Sequence, residues 1–209
     1  GWVRVKAPIA LASGSTLPSS PEGSWSVVSP GLPSDFNDIM NIFEHRNFVN
    51  HDAKIIHSKD IVWDEEEYFI RPANDDKAFN GGIYNSNTFN YEGNIVIAQL
   101  KHISKEHRFF VINSEIVTGS LYKMNGSFSS SPLIDDGAMK FAQEMVKKFN
   151  HPGFVIDIAT IDNEYKIMEL NCLNAAGFYD INLYKLINAV MDYYETYEVK
   201  AKKTINKKL

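Results

Sequence analysis

The sequence predicts an α+β fold with two sheets, and three observations carry that prediction. Strand-like runs rich in Ile, Val, Phe and Tyr crowd the middle of the chain, strands give way to an amphipathic helix twice, and no internal repeat is visible.

Residues 1–33 hold seven Ser, five Pro and four Gly without a sustained period. They read as a leader: a linker, an extended arm or sequence foreign to the folded part. Trp2 and Trp25 are the groups that could pin it to the body. From Ser34, a candidate N-cap, "SDFNDIMNIFEH" sets Phe36, Ile39, Met40 and Phe43 on one helical stripe. "AKIIH" and "EYFIRP" read as short strands, the second stopped by Pro72, which has no N–H for a ladder. "NIVIAQL" reads as a buried strand, and "HRFFVINSEIVTGSLY" as a hairpin turning near Asn113 and Ser114. "DDGAMKFAQEMVKKFN" predicts a helix with Ala138, Phe141, Ala142, Met145 and Phe149 on one face. Its acids come first and its lysines last, as the helix dipole favours. "GFVIDIATI" and "EYKIMELN" form a strand pair around Asp162, Asn163 and Glu164. A last helix, started by Asp180, aligns Leu183, Ile187, Val190, Met191 and Tyr194.

With 209 residues, 44% of them hydrophobic, the chain can build one good-sized domain or two small lobes around a real core. No apolar stretch approaches the ~20 residues of a membrane helix. "APIALA" is too short for a secretory core, and the start without Met reads as a fragment or a processed product. A single cysteine, Cys172, excludes an internal disulfide and fits a reducing compartment, so a cytoplasmic location is expected. A catalytic thiol is the sharper alternative for Cys172, but no His stands near it in the pattern. The net charge is −5, yet "KAKKTINKKL" at the end holds five lysines and no acid, leaving −10 on the rest. An acidic body argues against a broad nucleic-acid face, and residues 200–209 read as a solvated, frayed basic tail.

One strand pair carries the chemistry. If Asp162, Asn163 and Glu164 form a three-residue loop, Ile161 pairs with Tyr165 and Asp157 stands opposite Glu169, about 5 Å apart. Asn171 shares the face of Glu169, one step along, because strand side chains alternate. Val155, Ala159 and Ile167 fall on the same face and imply partial burial, where unpaired like charges are costly. Two carboxylates and an amide oxygen suit Mg²⁺, a hard cation that keeps waters and binds phosphates. An exposed hairpin face is the other reading that the residues leave open.

A second cluster, "FIRPANDDKAFNGG", ends a strand with Arg71 and follows with Lys77, Gly81 and Gly82. Paired glycines can bring backbone N–H groups to an anion while the cations supply charge, so a phosphate fits there. A Gly-Gly hairpin turn among surface charges fits equally. In "QLKHISKEHRFFVI", Glu106 and Arg108 share one strand face and Lys101 lies just upstream, which a salt-bridged edge strand also explains.

In order, these three elements resemble the ATP-grasp arrangement. "FIRPANDDKAFNGG", "EHRFFVINSEIVTGSLY" and "ELNCLNAAGFYDINLYKL" are similar to the ATP-grasp clade, frequent in phages and bacteria, that is named for two arginines and a lysine. The likeness runs from about Phe48 to Val190. It implies two α+β lobes with antiparallel sheets enclosing a nucleotide cleft. Residues 34–199 would form the ATP-grasp-like domain, divided into a small lobe over about 48–98 and a large lobe over about 99–199. It also implies an ATP- and Mg-dependent ligase that activates a carboxylate as an acyl phosphate for attack by an amine or similar nucleophile.

By the same resemblance, Arg71 takes the place of the first phosphate-binding cation, and Lys77, Gly81 and Gly82 cover the triphosphate. Gln99, Leu100 and Lys101 meet adenine through backbone groups, Glu106 sits like the ribose-side acid, and Arg108 steadies the transferring phosphoryl group. Asp157, Glu169 and Asn171 hold the metal. The chain departs from the family in two ways: Gln99 stands near the place of the usual linker glutamate, and residues 1–33 cannot form the family's additional N-terminal domain. The acceptor therefore stays open, with a truncated member, a partner subunit or homo-oligomer, and a macromolecular acceptor as alternatives. Two other classes compete: a nucleotide-binding subunit without catalysis, and a phage-type interaction protein whose acids and bases merely decorate surfaces. The last expects Asp157, Glu169 and Asn171 not to converge.

Overall fold

The computed structural model describes residues 43–74, 78–173 and 176–206. The leader, most of the helix expected from Ser34, Lys77 and residues 207–209 lie outside them. Among the described residues, nine strands and two α-helices follow in order: β1 Lys54–His57, β2 Tyr68–Pro72, β3 Gly82–Tyr84, β4 Asn94–Gln99, β5 Lys105–Ile112, β6 Glu115–Met124, β7 Ser127–Ser131, α1 Asp136–Lys148, β8 Gly153–Ile161, β9 Glu164–Asn171 and α2 Leu183–Asn206. The strands form a four-stranded sheet, β1-β4-β2-β3, and a five-stranded sheet, β7-β6-β5-β8-β9. Every ladder within them is antiparallel.

Three hairpins of the larger sheet turn in two residues with positive φ: Asn113 and Ser114, Asn125 and Gly126, Asp162 and Asn163. Their left-handed conformation matches strand twist, and Asn, Asp and Gly tolerate it best. The β8–β9 loop is thus one residue shorter than expected: Ile161 pairs with Glu164, not with Tyr165. A bulge then restores the count, because Ile158 pairs with Ile167 while Asp157 pairs with Glu169, leaving Met168 as the extra residue. The expected pairing of Asp157 with Glu169 is present, but Ile167 has crossed to the other face. It packs with Ile156 and Ile158, whereas Met168 joins Ala159.

The two faces of this sheet are covered by different helices. Phe109, Val111, Phe154, Ile156 and Ile158 pack against Ala138, Ala142, Met145 and Val146 of α1. Phe110, Ile112 and Val155 pack against Leu186 of α2. Phe109 and Phe154 are fully buried, each stabilising by about 1.5–3 kcal/mol relative to an exposed ring. Helix α2 departs from its expected register. Leu186, Ala189, Val190 and Tyr193 meet the sheet, and of the aligned set Leu183, Ile187, Met191 and Tyr194 are exposed. Its cap is Asn182, whose Oδ1 accepts from Lys185 N at 3.0 Å, rather than Asp180. It continues through Asn206, into the basic segment expected to be frayed.

The smaller sheet encloses Ile70, Ile95 and Ile97 with a cluster of rings, Trp63, Phe79, Tyr84, Phe89 and Tyr91. The chain passes between the sheets twice. On the way in, Phe48 bridges Ile167 in parallel and Val49 N donates to Ile167 O at 3.0 Å. On the way out, Gln99 N donates to Asp52 Oδ2 at 3.1 Å, and Lys101 Nζ lies 3.2 Å from Asp52 Oδ1.

Candidate functional site

Strand alternation puts Glu106, Arg108 and Phe110 of β5 on the face that α2 covers further along. Val155 and Asp157 of β8 and Glu169 and Asn171 of β9 share it. Arg108 stands directly opposite Asp157, and Asp157 opposite Glu169. The pairing is bidentate: Arg108 Nε donates to Asp157 Oδ1 at 2.8 Å and Nη2 to Oδ2 at 2.7 Å. Asp157 has no solvent exposure and Arg108 only 6%.

Four residues around this pair were not anticipated. The Tyr122 hydroxyl lies 2.6 Å from Glu106 Oε2 and 3.1 Å from Asp157 Oδ2, so one O–H serves two buried carboxylates. Lys123 Nζ reaches Glu106 Oε2 at 3.1 Å. Consecutive strand residues ordinarily point apart, but β6 is bulged here: Lys123 pairs with Glu106, Leu121 with His107, and Tyr122 is the extra residue. Both side chains can therefore address Glu106. Gly177 O accepts from Arg108 Nη1 at 3.2 Å. Tyr179 stacks on Tyr122 at 4.9 Å and 7°, and the guanidinium carbon lies 5.1 and 5.0 Å from the Tyr122 and Tyr179 rings. The bulge and the return of the loop after β9 leave no short-range pattern by which sequence could have found them.

The charges settle in pairs. Burial opposes the charge on Arg108, but the hydrogen bonds and charge of Asp157 outweigh it and hold the guanidinium protonated. Burial pushes the Asp157 carboxyl above the usual range, while Arg108 and Tyr122 pull it back. An arginine in this position keeps its proton, so the pair is guanidinium and carboxylate. Burial, then Asp157 and Glu106, raise the Tyr122 hydroxyl, which stays a donor.

The remaining expected residues fall elsewhere. Arg71 is half-buried on β2, its Nη1 donating to Pro72 O at 3.0 Å. Gly82 pairs with Ile70 at the start of β3, and Gly81 lies so close that an added Cβ would be 3.1 Å from Arg71 Cβ. Arg71 and Gly82 belong to the smaller sheet, and Gly81 directly precedes β3. Gln99, exposed Leu100 and Lys101 form the crossing between the sheets, tied to Asp52. Glu106, expected beside a ribose, is 1% exposed and turned inward onto Tyr122 and Lys123. Asn171 is 6% exposed and Glu169 half-buried. Asp157, Glu169 and Asn171 share one sheet face, where Asp157 and Asn171 are buried rather than set on the surface.

Asp157, Glu169 and Asn171 can be tested as a divalent-cation site. Among the described residues no group of three or more His, Cys, Asp or Glu side chains gathers, so the set rests on two carboxylates and an amide. Hard oxygen donors fit magnesium. Asp157 already holds a cation, with the Arg108 guanidinium standing in.

A family model for the ATP-grasp domain, family 3 of the clade named for two arginines and a lysine, matches residues 19–191. The chain belongs to this ATP-grasp family. Solved structures share the ATP-grasp fold. D-alanine–D-alanine ligase from Bacillus anthracis complexed with ATP is similar at a TM-score of 0.53 and 13% identity, covering 79% of this chain and 66% of that one. The enzyme of the same name from Helicobacter pylori gives 0.52 and 15%, covering 75% and 57%. The ATP-grasp ligase PsnB complexed with minimal precursor gives 0.51 and 11%, covering 77% and 60%. The ATP-grasp chain described here thus spans between 57% and 66% of these three structures' lengths. No curated protein matches it in sequence.

Proposed function

We propose that this ATP-grasp chain catalyses ATP-dependent ligation, activating a carboxylate as an acyl phosphate that an amine or similar nucleophile then attacks. The single observation that carries the reading is the convergence of Arg108, Asp157, Glu169 and Asn171 on one sheet face, in a chain of this family. Arg71, Gly81 and Gly82, together with Lys77, would meet the triphosphate, and the crossing at Gln99, Leu100 and Lys101 would meet the base. Asp52 already occupies Gln99 N–H, which leaves the Leu100 and Lys101 backbone for that contact.

In the first step the γ-phosphoryl group passes from ATP to the carboxylate oxygen, releasing ADP. In the second the nucleophile displaces phosphate and loses a proton. Arg108 would stabilise charge on the transferring group, since such transfer is catalysed chiefly by position and charge. Glu169 and Asn171, with Asp157, would hold magnesium, which neutralises phosphate charge when bound. Glu106 would fix Tyr122 and Lys123 rather than touch a ribose. PsnB was solved with a minimal precursor, and a macromolecular acceptor is the corresponding proposal for this chain.

The test is nucleotide binding followed by turnover. AMPPNP and Mg²⁺ at 100 times Kd should add about 2.7 kcal/mol of stability, roughly 5–10 °C in Tm for a chain of this size. No shift with any nucleotide removes the proposal. A shift without ADP formation on any carboxylate–amine pair leaves a nucleotide-binding subunit.

A further inference from the structure

Resting on that reading, we propose that Arg108 is the resident counter-cation of Asp157, so that the site accepts a metal ion only together with nucleotide phosphate, which draws Arg108 away. The geometry points to competition for one carboxylate. Arg108 takes both Asp157 oxygens and Tyr122 adds a third donor to the carboxylate, the second at Oδ2, all without solvent exposure of the acid. A divalent ion arriving alone would have to displace a guanidinium whose neighbouring acid, Glu106, is already held by Tyr122 and Lys123. Stranding a buried charge is costly. Without Asp157 the candidate set is reduced to Glu169 and Asn171 of β9, one carboxylate and one amide, a thin set for a hard divalent cation.

Phosphate changes the balance. It offers Arg108 a second bidentate acceptor of greater charge, and a divalent ion replaces the guanidinium charge that Asp157 loses. The exchange has a structural correlate. Arg108 also donates to Gly177 O and lies beside the Tyr122–Tyr179 stack, so its departure removes a tie on the loop after β9. Tyr179 holds φ at 48°, a conformation that a bulky residue adopts only when neighbours impose it.

The full chain tests this with Mn²⁺ as probe, read by electron paramagnetic resonance without nucleotide. Arg108→Met should raise affinity for Mn²⁺ alone about tenfold or more, because the guanidinium no longer competes for the acid. Adding Asp157→Asn should abolish the gain. An unchanged affinity, or a gain that survives Asp157→Asn, overturns the proposal. A measurement on the unaltered protein guards against misfolding of the variants: the ¹⁵Nε resonance of Arg108 should move with AMPPNP plus Mg²⁺ and stay in place with Mg²⁺ alone. Movement with Mg²⁺ alone overturns the proposal, as does a fixed resonance while calorimetry registers nucleotide binding. If calorimetry registers no nucleotide, the ligase reading fails instead, and the Mn²⁺ comparison still decides the competition.

Discussion

Tyr122 OH stands 2.6 Å from Glu106 Oε2, and the same oxygen is 3.1 Å from Asp157 Oδ2. Tyr122→Phe removes the O–H that both contacts share and leaves two buried acids facing one another. The expected loss is about 1–3 kcal/mol, read from urea unfolding at neutral pH. Burial has already pushed Asp157 upward, so acid supplies a replacement proton and the gap between variant and parent should narrow as pH falls. A gap that widens in acid would refute the shared-donor account.

The Arg108–Asp157 pair gives a second prediction. Either Arg108→Met or Asp157→Leu strands a buried charge and should cost about 3–5 kcal/mol. The double variant replaces the pair by packed apolar groups and should be more stable than either single. Additive losses in a double-mutant cycle would show that the two side chains do not depend on each other.

His107 offers a pH test. Its ring is 1% exposed, stacks near Phe109, and neither nitrogen has a hydrogen-bond partner among the described residues. Burial lowers its pKa, Asp135 opposes this, and Lys105 adds to it. The unfolded chain therefore takes up the proton first. Stability from this group is full above about pH 6.5 and falls below it, by at most about 1.4 kcal/mol per pH unit, until the folded pKa is passed. His107→Leu should flatten the urea-derived stability curve between about pH 7.5 and 5.5.

Gly119 backs the same strand. A Cβ there would come within 2.7 Å of both Arg108 O and Phe109 Cδ1, so backbone must shift. Gly119→Ala should cost about 1–3 kcal/mol by urea unfolding and, on the function proposed above, weaken nucleotide binding through Arg108. An unchanged midpoint would mean that the strand yields freely.

Much of the larger sheet was legible because its physics is local. The ends of β8 and β9 follow alternation and turn residues, and the hairpin at Asn113 and Ser114 follows the same signal. Asp157 reached Glu169 for a different reason than spacing suggested: a loop one residue short and a bulge one residue long cancel. Alternation reads only parity, so the acids kept their face while Ile167 lost its own. The Tyr122–Lys123 bulge, the Asp52 tie and the return of Tyr179 are long-range contacts that leave no local pattern. Helix α2 misled for a further reason: both of its apolar stripes are hydrophobic, and only the sheet decides which one is covered.

Asp52 and Gln99, 47 positions apart, touch at a single doorway. Everything between them is a cassette whose two ends are already neighbours. Such a unit could be exchanged whole between kin, or its ends joined into a ring, without threading the host sheet anew.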